Sequence, residues 1–185
     1  MGKSTLAVHL AGLWAGEGRR VVLLDEDGRV GSAAAWGARL NLEMRPKKIK
    51  HADVVVIDAP GQLGRKGFRA LSDRADVVLI PCGPSSVEVE ATRRLFELLS
   101  ELPNVRGVIS RAPPVGAAGR RARDELGEAM LKTVVRSYHA YLVAAERGLL
   151  ARDVRGGASA WGDVVALAGE LAGGGAGHRP SRTGD

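Results

Sequence analysis

Apolar positions recur along this chain in two rhythms. One is helical: Leu6, Leu10, Leu13 and Trp14, with alanines between them, put an apolar stripe on a helix over residues 4–17, ended by Gly16 and Gly18. The other is a short unbroken apolar run, the mark of a strand buried on both faces of a parallel sheet. Such runs stand at Val21-Val22-Leu23-Leu24, Val54-Val55-Val56-Ile57 and Val77-Val78-Leu79-Ile80, and further strands are read from Val105 to Ser110 and Lys132 to Val135. Helical stretches fall between them, at residues 32–40, 66–75, 87–101, 118–130 and 137–148, and a terminal amphipathic helix covers 158–172. Ser32 is placed to cap the second helix, and Ser85 or Ser86 the helix of 87–101. Residues 41–52 are short, basic (Arg45, Lys47, Lys48, Lys50) and irregular, and Gly61, Gly64 and Gly67 predict a mobile loop. Strands alternating with helices predict an α/β fold, a mostly parallel sheet with helices on both faces, in one domain over residues 1–172. Residues 173–185, Gly-rich and polar, read as a disordered tail.

Composition narrows the class. Aromatics are only 4% of the 185 residues, so the core is built from Val, Leu, Ala and Ile. Cys82 is the one cysteine, which excludes a disulfide framework and a cysteine-based metal site. His9, His51, His139 and His178 show no metal-ligand spacing. No apolar run approaches the roughly 20 residues that span a bilayer. Residues 1–20 lack the basic start and unbroken apolar stretch of a signal peptide, so the chain reads as cytoplasmic. The net charge of +6 favours a polyanionic partner such as nucleic acid, or equally a solvated surface in an Arg-rich composition.

The chemistry gathers at strand ends and one helix start. Met1-Gly2-Lys3-Ser4-Thr5 reads as the back half of a phosphate loop, G-x-x-x-x-G-K-[ST], running into a helix. In such a loop Gly2 lets backbone approach an anion, Lys3 reaches terminal phosphate oxygens, and the Ser4 hydroxyl ligates magnesium. The same four residues can simply cap a helix. The first strand ends in Asp25-Glu26-Asp27-Gly28, and carboxylates there sit where α/β sheets bind ligands, or else make an Asx-type turn. The run at 54–57 ends in Asp58-Ala59-Pro60-Gly61, which places an acid near the magnesium of a nucleoside triphosphate.

G-K-S-T, L-L-D-E-D, V-V-V-I-D-A-P-G and A-D-V-V-L-I-P-C-G-P-S, in that order, together resemble the ParA/MinD family of deviant-Walker P-loop ATPases, and most of all its short plasmid-partition ParA branch. V-I-S-R at 108–111 and L-K-T-V-V-R-S-Y-H-A-Y-L-V-A-A-E-R-G-L at 131–149 are similar to later family segments, so the resemblance covers residues 1 to about 172. It implies a P-loop NTPase-like fold that binds and slowly hydrolyses Mg-ATP. Lys3 would bind the β- and γ-phosphates, Ser4 magnesium and Thr5 the α-phosphate. Asp27 would orient the attacking water, Asp25 would lie near the metal, and Asp58 would hold magnesium through water. Ser110, Arg111 and Pro113 would lie near the adenine. It further implies an ATP-dependent homodimer on non-specific DNA at the nucleoid, driving plasmid or chromosome partition with a small centromere-binding partner. Arg120, Arg121 and Arg123 on one helix are the candidate phosphate contacts, with a solvated basic face as the plainer reading of each.

The chain departs from that family pattern in ways that shape the expectations. The family's second lysine, at the loop start, is missing, and Gly28-Arg29 replaces its usual Pro-Gln. The 41–52 segment is short enough to lack a strand-helix element. The family's first strand, which lies between the strands at 54–58 and 77–81, is also missing. A gap there would strand backbone groups at about 1–3 kcal/mol each, so the expectation is a true start upstream of Met1 or a decayed gene product. Two alternatives follow: a non-catalytic fragment that binds DNA or a partner, and a MinD-like membrane-associated ATPase. The polar tail argues against the second.

Overall fold

The computed structural model describes residues 2–27, 32–44 and 49–174. Among them helices and strands alternate in the expected order: α1 (Lys3–Gly16), β1 (Val21–Asp25), α2 (Ser32–Arg39), β2 (Val54–Asp58), α3 (Arg65–Ser72), β3 (Val78–Cys82), α4 (Ser86–Leu98), β4 (Val105–Ala112), α5 (Ala118–Leu126), β5 (Met130–Arg136), α6 (His139–Arg147) and α7 (Ala158–Gly174). The expectations for Gly28-Arg29, for the basic residues 45–48 and for most of the tail fall outside the described residues.

Every strand pair is parallel. β1 lies beside β2 in register from Val21 opposite Val54 to Asp25 opposite Asp58. β3, β4 and β5 form a second group in that order. Among the described residues no ladder joins β2 to β3. Their side chains nonetheless share a core, since Ile57 and Ala59 pack in one cluster with Val78 and Ile80. The sheet is therefore broken between β2 and β3, where the resemblance places its absent strand. The break leaves its mark on burial: Val55 is 37% exposed in a strand whose neighbours are all apolar, whereas Val108 and Ile109 of β4 are fully buried.

α1 bridges the break. Leu6, Leu10 and Leu13 pack with Val108 and Val135 of the second sheet and Leu167 of α7. Ala7, Val8 and Ala11 pack with Val21 and Leu23 of the first sheet and Trp36 of α2. The sequence predicts a one-sided stripe on this helix; instead every residue from Leu6 to Leu13 is buried, because strands of both groups lie on one side of it and α2, α6 and α7 pack around the rest. Full burial of a leucine contributes roughly 1.5–3 kcal/mol, so α1 is a principal tie between the halves. Gly12 permits its close approach to the chain after α6, because a side chain there would start 2.7 Å from Leu150.

α4 and α5 cover the opposite face, around Cys82, Ile109, Ala122 and Met130. Three boundaries differ from expectation. α5 stops at Leu126, because Gly127 turns at φ 76°, and Met130 already belongs to β5. β4 continues past Ser110 to Ala112, passing through Arg111 at φ 58°. The predicted loop of 61–67 is partly helix, with Gly67 inside α3. Segment 41–44, expected to be irregular, adds a single parallel bridge from Glu43 to Val22. Ser85 caps α4 as expected, accepting from the Glu88 amide at 3.4 Å.

Candidate functional site

The head of α1 lies at the C-terminal ends of the strands. The helix starts at Lys3 with Gly2 before it and no side-chain cap, which leaves its first-turn amides directed at that opening. Gly2 touches the second sheet: a side chain there would first meet Pro81 at 3.7 Å and the Ser110 hydroxyl at 3.8 Å. Ser4 hydrogen-bonds to Asp58, the last residue of β2. The Lys3 ammonium reaches the turn after β2, lying 3.4 Å from where a side chain at Gly61 would begin.

Asp58 is the most unusual group here. It is 2% exposed, and its Oδ1 has no hydrogen-bond partner among the described residues. Burial raises its pKa above the ordinary carboxylate value; the Ser4 bond opposes this, the Asp25 charge adds to it, the Lys3 charge opposes it and the Asp27 charge adds. A buried carboxylate oxygen without a partner, next to a hydroxyl at a helix N-terminus, fits a hydrated cation. No group of three or more His, Cys, Asp or Glu among the described residues is placed to hold a metal alone.

Asp25 follows the plainer of its two readings. Its Oδ1 accepts from the Asp27 amide at 3.1 Å and its Oδ2 from the Ala34 amide at 2.9 Å. It thus makes an Asx-type turn and caps α2; the Ser32 side chain, expected as that cap, lies outside the described residues. The turn brings Asp27 beside Asp58, close enough for its charge to act on that carboxyl. Ser110 is buried against Gly2. Arg111 instead pairs with Glu88 on α4. Pro113 lines a groove with Arg120 and Arg123. Arg123 is bound to Asp124 and to the Lys132 carbonyl, so the three arginines of α5 are not equivalent.

Sequence reasoning passed over His9. It is fully buried, donates Nδ1–H to the Thr5 carbonyl at 2.8 Å and accepts the Ala151 amide on Nε2 at 3.1 Å. The rings of Trp36 and Tyr141 meet it edge-on at 5.2 and 5.1 Å. Burial lowers its pKa to about 4, against a smaller upward pull from the Thr5 carbonyl. Its position four residues after Thr5, inside an apolar helix, was the available signal. The histidine ties the first turn of α1 to the segment before α7.

No protein-family model matches the chain, and no curated protein sequence matches it significantly. Solved structures do. The MinD cell division protein of Aquifex aeolicus superposes with a TM-score of 0.72 at 18% identity, over 98% of this chain and 94% of that one. The fold is that of MinD. A MinC:MinD cell division protein complex from the same organism gives a TM-score of 0.74 at 17% identity, over 100% and 95% of the two chains. Apo McdA from Cyanthece gives 0.69 at 15% identity, over 91% and 94%. The architecture is therefore the parallel α/β type seen in MinD and McdA. At such identities the likeness carries the fold alone, and the chemistry rests on the residues above. No helix among the described residues is long and apolar enough to cross a membrane.

Proposed function

We propose that this chain is a ParA/MinD-type ATPase that binds Mg-ATP at the head of α1. The observation that carries the reading is the contact of Ser4 with Asp58, whose second oxygen is buried without a partner. Ser4 and Asp58 would hold magnesium, which supplies charge neutralisation at the phosphates. Lys3 and the open amides of α1 would bind the phosphate oxygens, with Thr5 at the α-phosphate. Ser110, Arg111 and Pro113 would lie near the adenine, with Ser110 beside Gly2, Arg111 paired with Glu88 and Pro113 on the α5 groove. Asp27 would orient the attacking water. Asp25 acts on this reading by placing Asp27 through the turn it makes. The role follows the partition branch of the family: an ATP-dependent dimer on non-specific DNA in the cytoplasm, with a small centromere-binding protein as stimulator. Arg120, Arg121 and Arg123 of α5 would be the contacts to DNA phosphates, and the first two are exposed. The test is retention on duplex DNA with and without Mg-ATP; retention that ignores nucleotide would count against the partition role.

A second reading, a non-catalytic member of the fold that binds DNA or a partner, is favoured by the broken sheet. Among the described residues β2, which Asp58 ends beside the proposed metal position, is paired along one edge only. Measurable Mg-ATP turnover would exclude this reading.

A further inference from the structure

At the β5 edge of the sheet, a groove runs between the start of α5, on the face opposite α1, and α7, on the face of α1. Its volume is about 320 Å³, and Arg120, Arg123, Lys132 and Arg136 line it together with Pro113 and the single acidic residue Asp163. Four cations against one carboxylate is an unbalanced lining. Two of the cations are fixed: Arg123 is bound to Asp124 and to the Lys132 carbonyl. Arg136 is bound to Asp163, itself 4% exposed. The side chains of Arg120 and Lys132 make no ion pair among the described residues, and Glu170 beyond Lys132 is committed to the Lys132 and Thr133 amides. Arg123 and Arg136, held in place, Arg120, without an ion pair among the described residues, and Lys132, within electrostatic reach of Glu170, supply the geometry and the charge that an anion needs.

We infer that this groove binds a small organic phosphate, with its phosphate between Arg120 and Lys132 and its carbon part against Pro113. The volume is at the small end of ligand sites, which suits a compact ligand. A DNA backbone would instead track exposed charge such as Arg121, which does not line the groove. The site is separate from the phosphate loop, because α5 and Val134 pack on one sheet face and α1 and Val135 on the other. It stands independently of the ATPase reading.

The experiment is calorimetric titration of inorganic pyrophosphate, at low salt and without the magnesium that the α1 site requires, into the chain and three variants. Binding is expected in the chain and in Lys3→Ala. It should weaken at least tenfold in Arg120→Gln/Lys132→Gln and stay unchanged in Arg121→Gln. Loss in Lys3→Ala with retention in the double variant would place the phosphate at α1 and overturn the proposal. Equal weakening by Arg121→Gln would reduce the site to diffuse surface charge and would also overturn it, as would no binding at all. So would a duplex that binds and cannot be displaced by pyrophosphate. Arg120 is exposed, so the single variant Arg120→Gln serves if the double one does not fold.

Discussion

Acidification should weaken this fold through His9 before most carboxylates titrate. The ring is neutral in the folded chain, with its pKa lowered to about 4 from the ordinary 6.5. In the unfolded chain it protonates near that ordinary value. Between the two values the unfolded state binds more protons, so stability is full above pH 6.5 and falls as pH drops toward 4. Linkage gives a loss of roughly 2 kcal/mol by pH 5 and ~3 kcal/mol by pH 4 from this one group. Among the described residues no acid side chain hydrogen-bonds to the ring to offset this; its partners are the Thr5 carbonyl and the Ala151 amide, and the rings of Trp36, Tyr141 and Trp161 surround it. The assay is urea unfolding at pH 7.5, 6.0 and 5.0, on the chain and on His9→Leu. The variant loses two hydrogen bonds and is less stable at pH 7.5, but its stability should change much less between pH 7.5 and 5.0. Parallel pH profiles for the two proteins would refute the assignment of a buried neutral histidine.

Other outcomes follow from single groups. Asp58→Asn removes a buried charge whose pKa is raised by burial, so the thermal midpoint should rise at neutral pH while Mg-dependent nucleotide binding is lost; a lower midpoint would contradict the orphaned-oxygen reading. Asp163→Ala takes away the carboxylate that accepts from the Arg136 amide and guanidinium, and urea unfolding should show a loss of about 2–3 kcal/mol. Ser85→Ala removes the α4 cap and should cost about 1 kcal/mol in the same assay.

The strand ends were legible because an apolar run closed by an acid is a local pattern. Val21 to Asp25 and Val54 to Asp58 appear nearly as read, and Ser4 meets Asp58. The break between β2 and β3 was also legible, through the family pattern rather than through any propensity. What failed was non-local or conformational. Residues 118–130 are rich in helix formers, so Gly127, which turns the chain at positive φ, was read through and the start of β5 was missed. Arg111 belongs to Glu88 on α4, a pairing across 23 positions that no spacing announces. α7 closes the free edge of β5 with Asp163 and Glu170, which in the sequence look like ordinary polar positions on a surface helix. His9 was hidden because α1 has no polar face: α2, α6 and α7 cover the side that carries it, and a buried imidazole needs only the two backbone partners it found.

The most direct test of the central claim is titration calorimetry of ATP, with and without magnesium, into the chain, Lys3→Ala and Asp58→Asn. The account expects binding that requires magnesium and is lost in both variants, with all three proteins folded by circular dichroism. ATP binding of equal affinity in Lys3→Ala, or no binding to the unaltered chain, would contradict it.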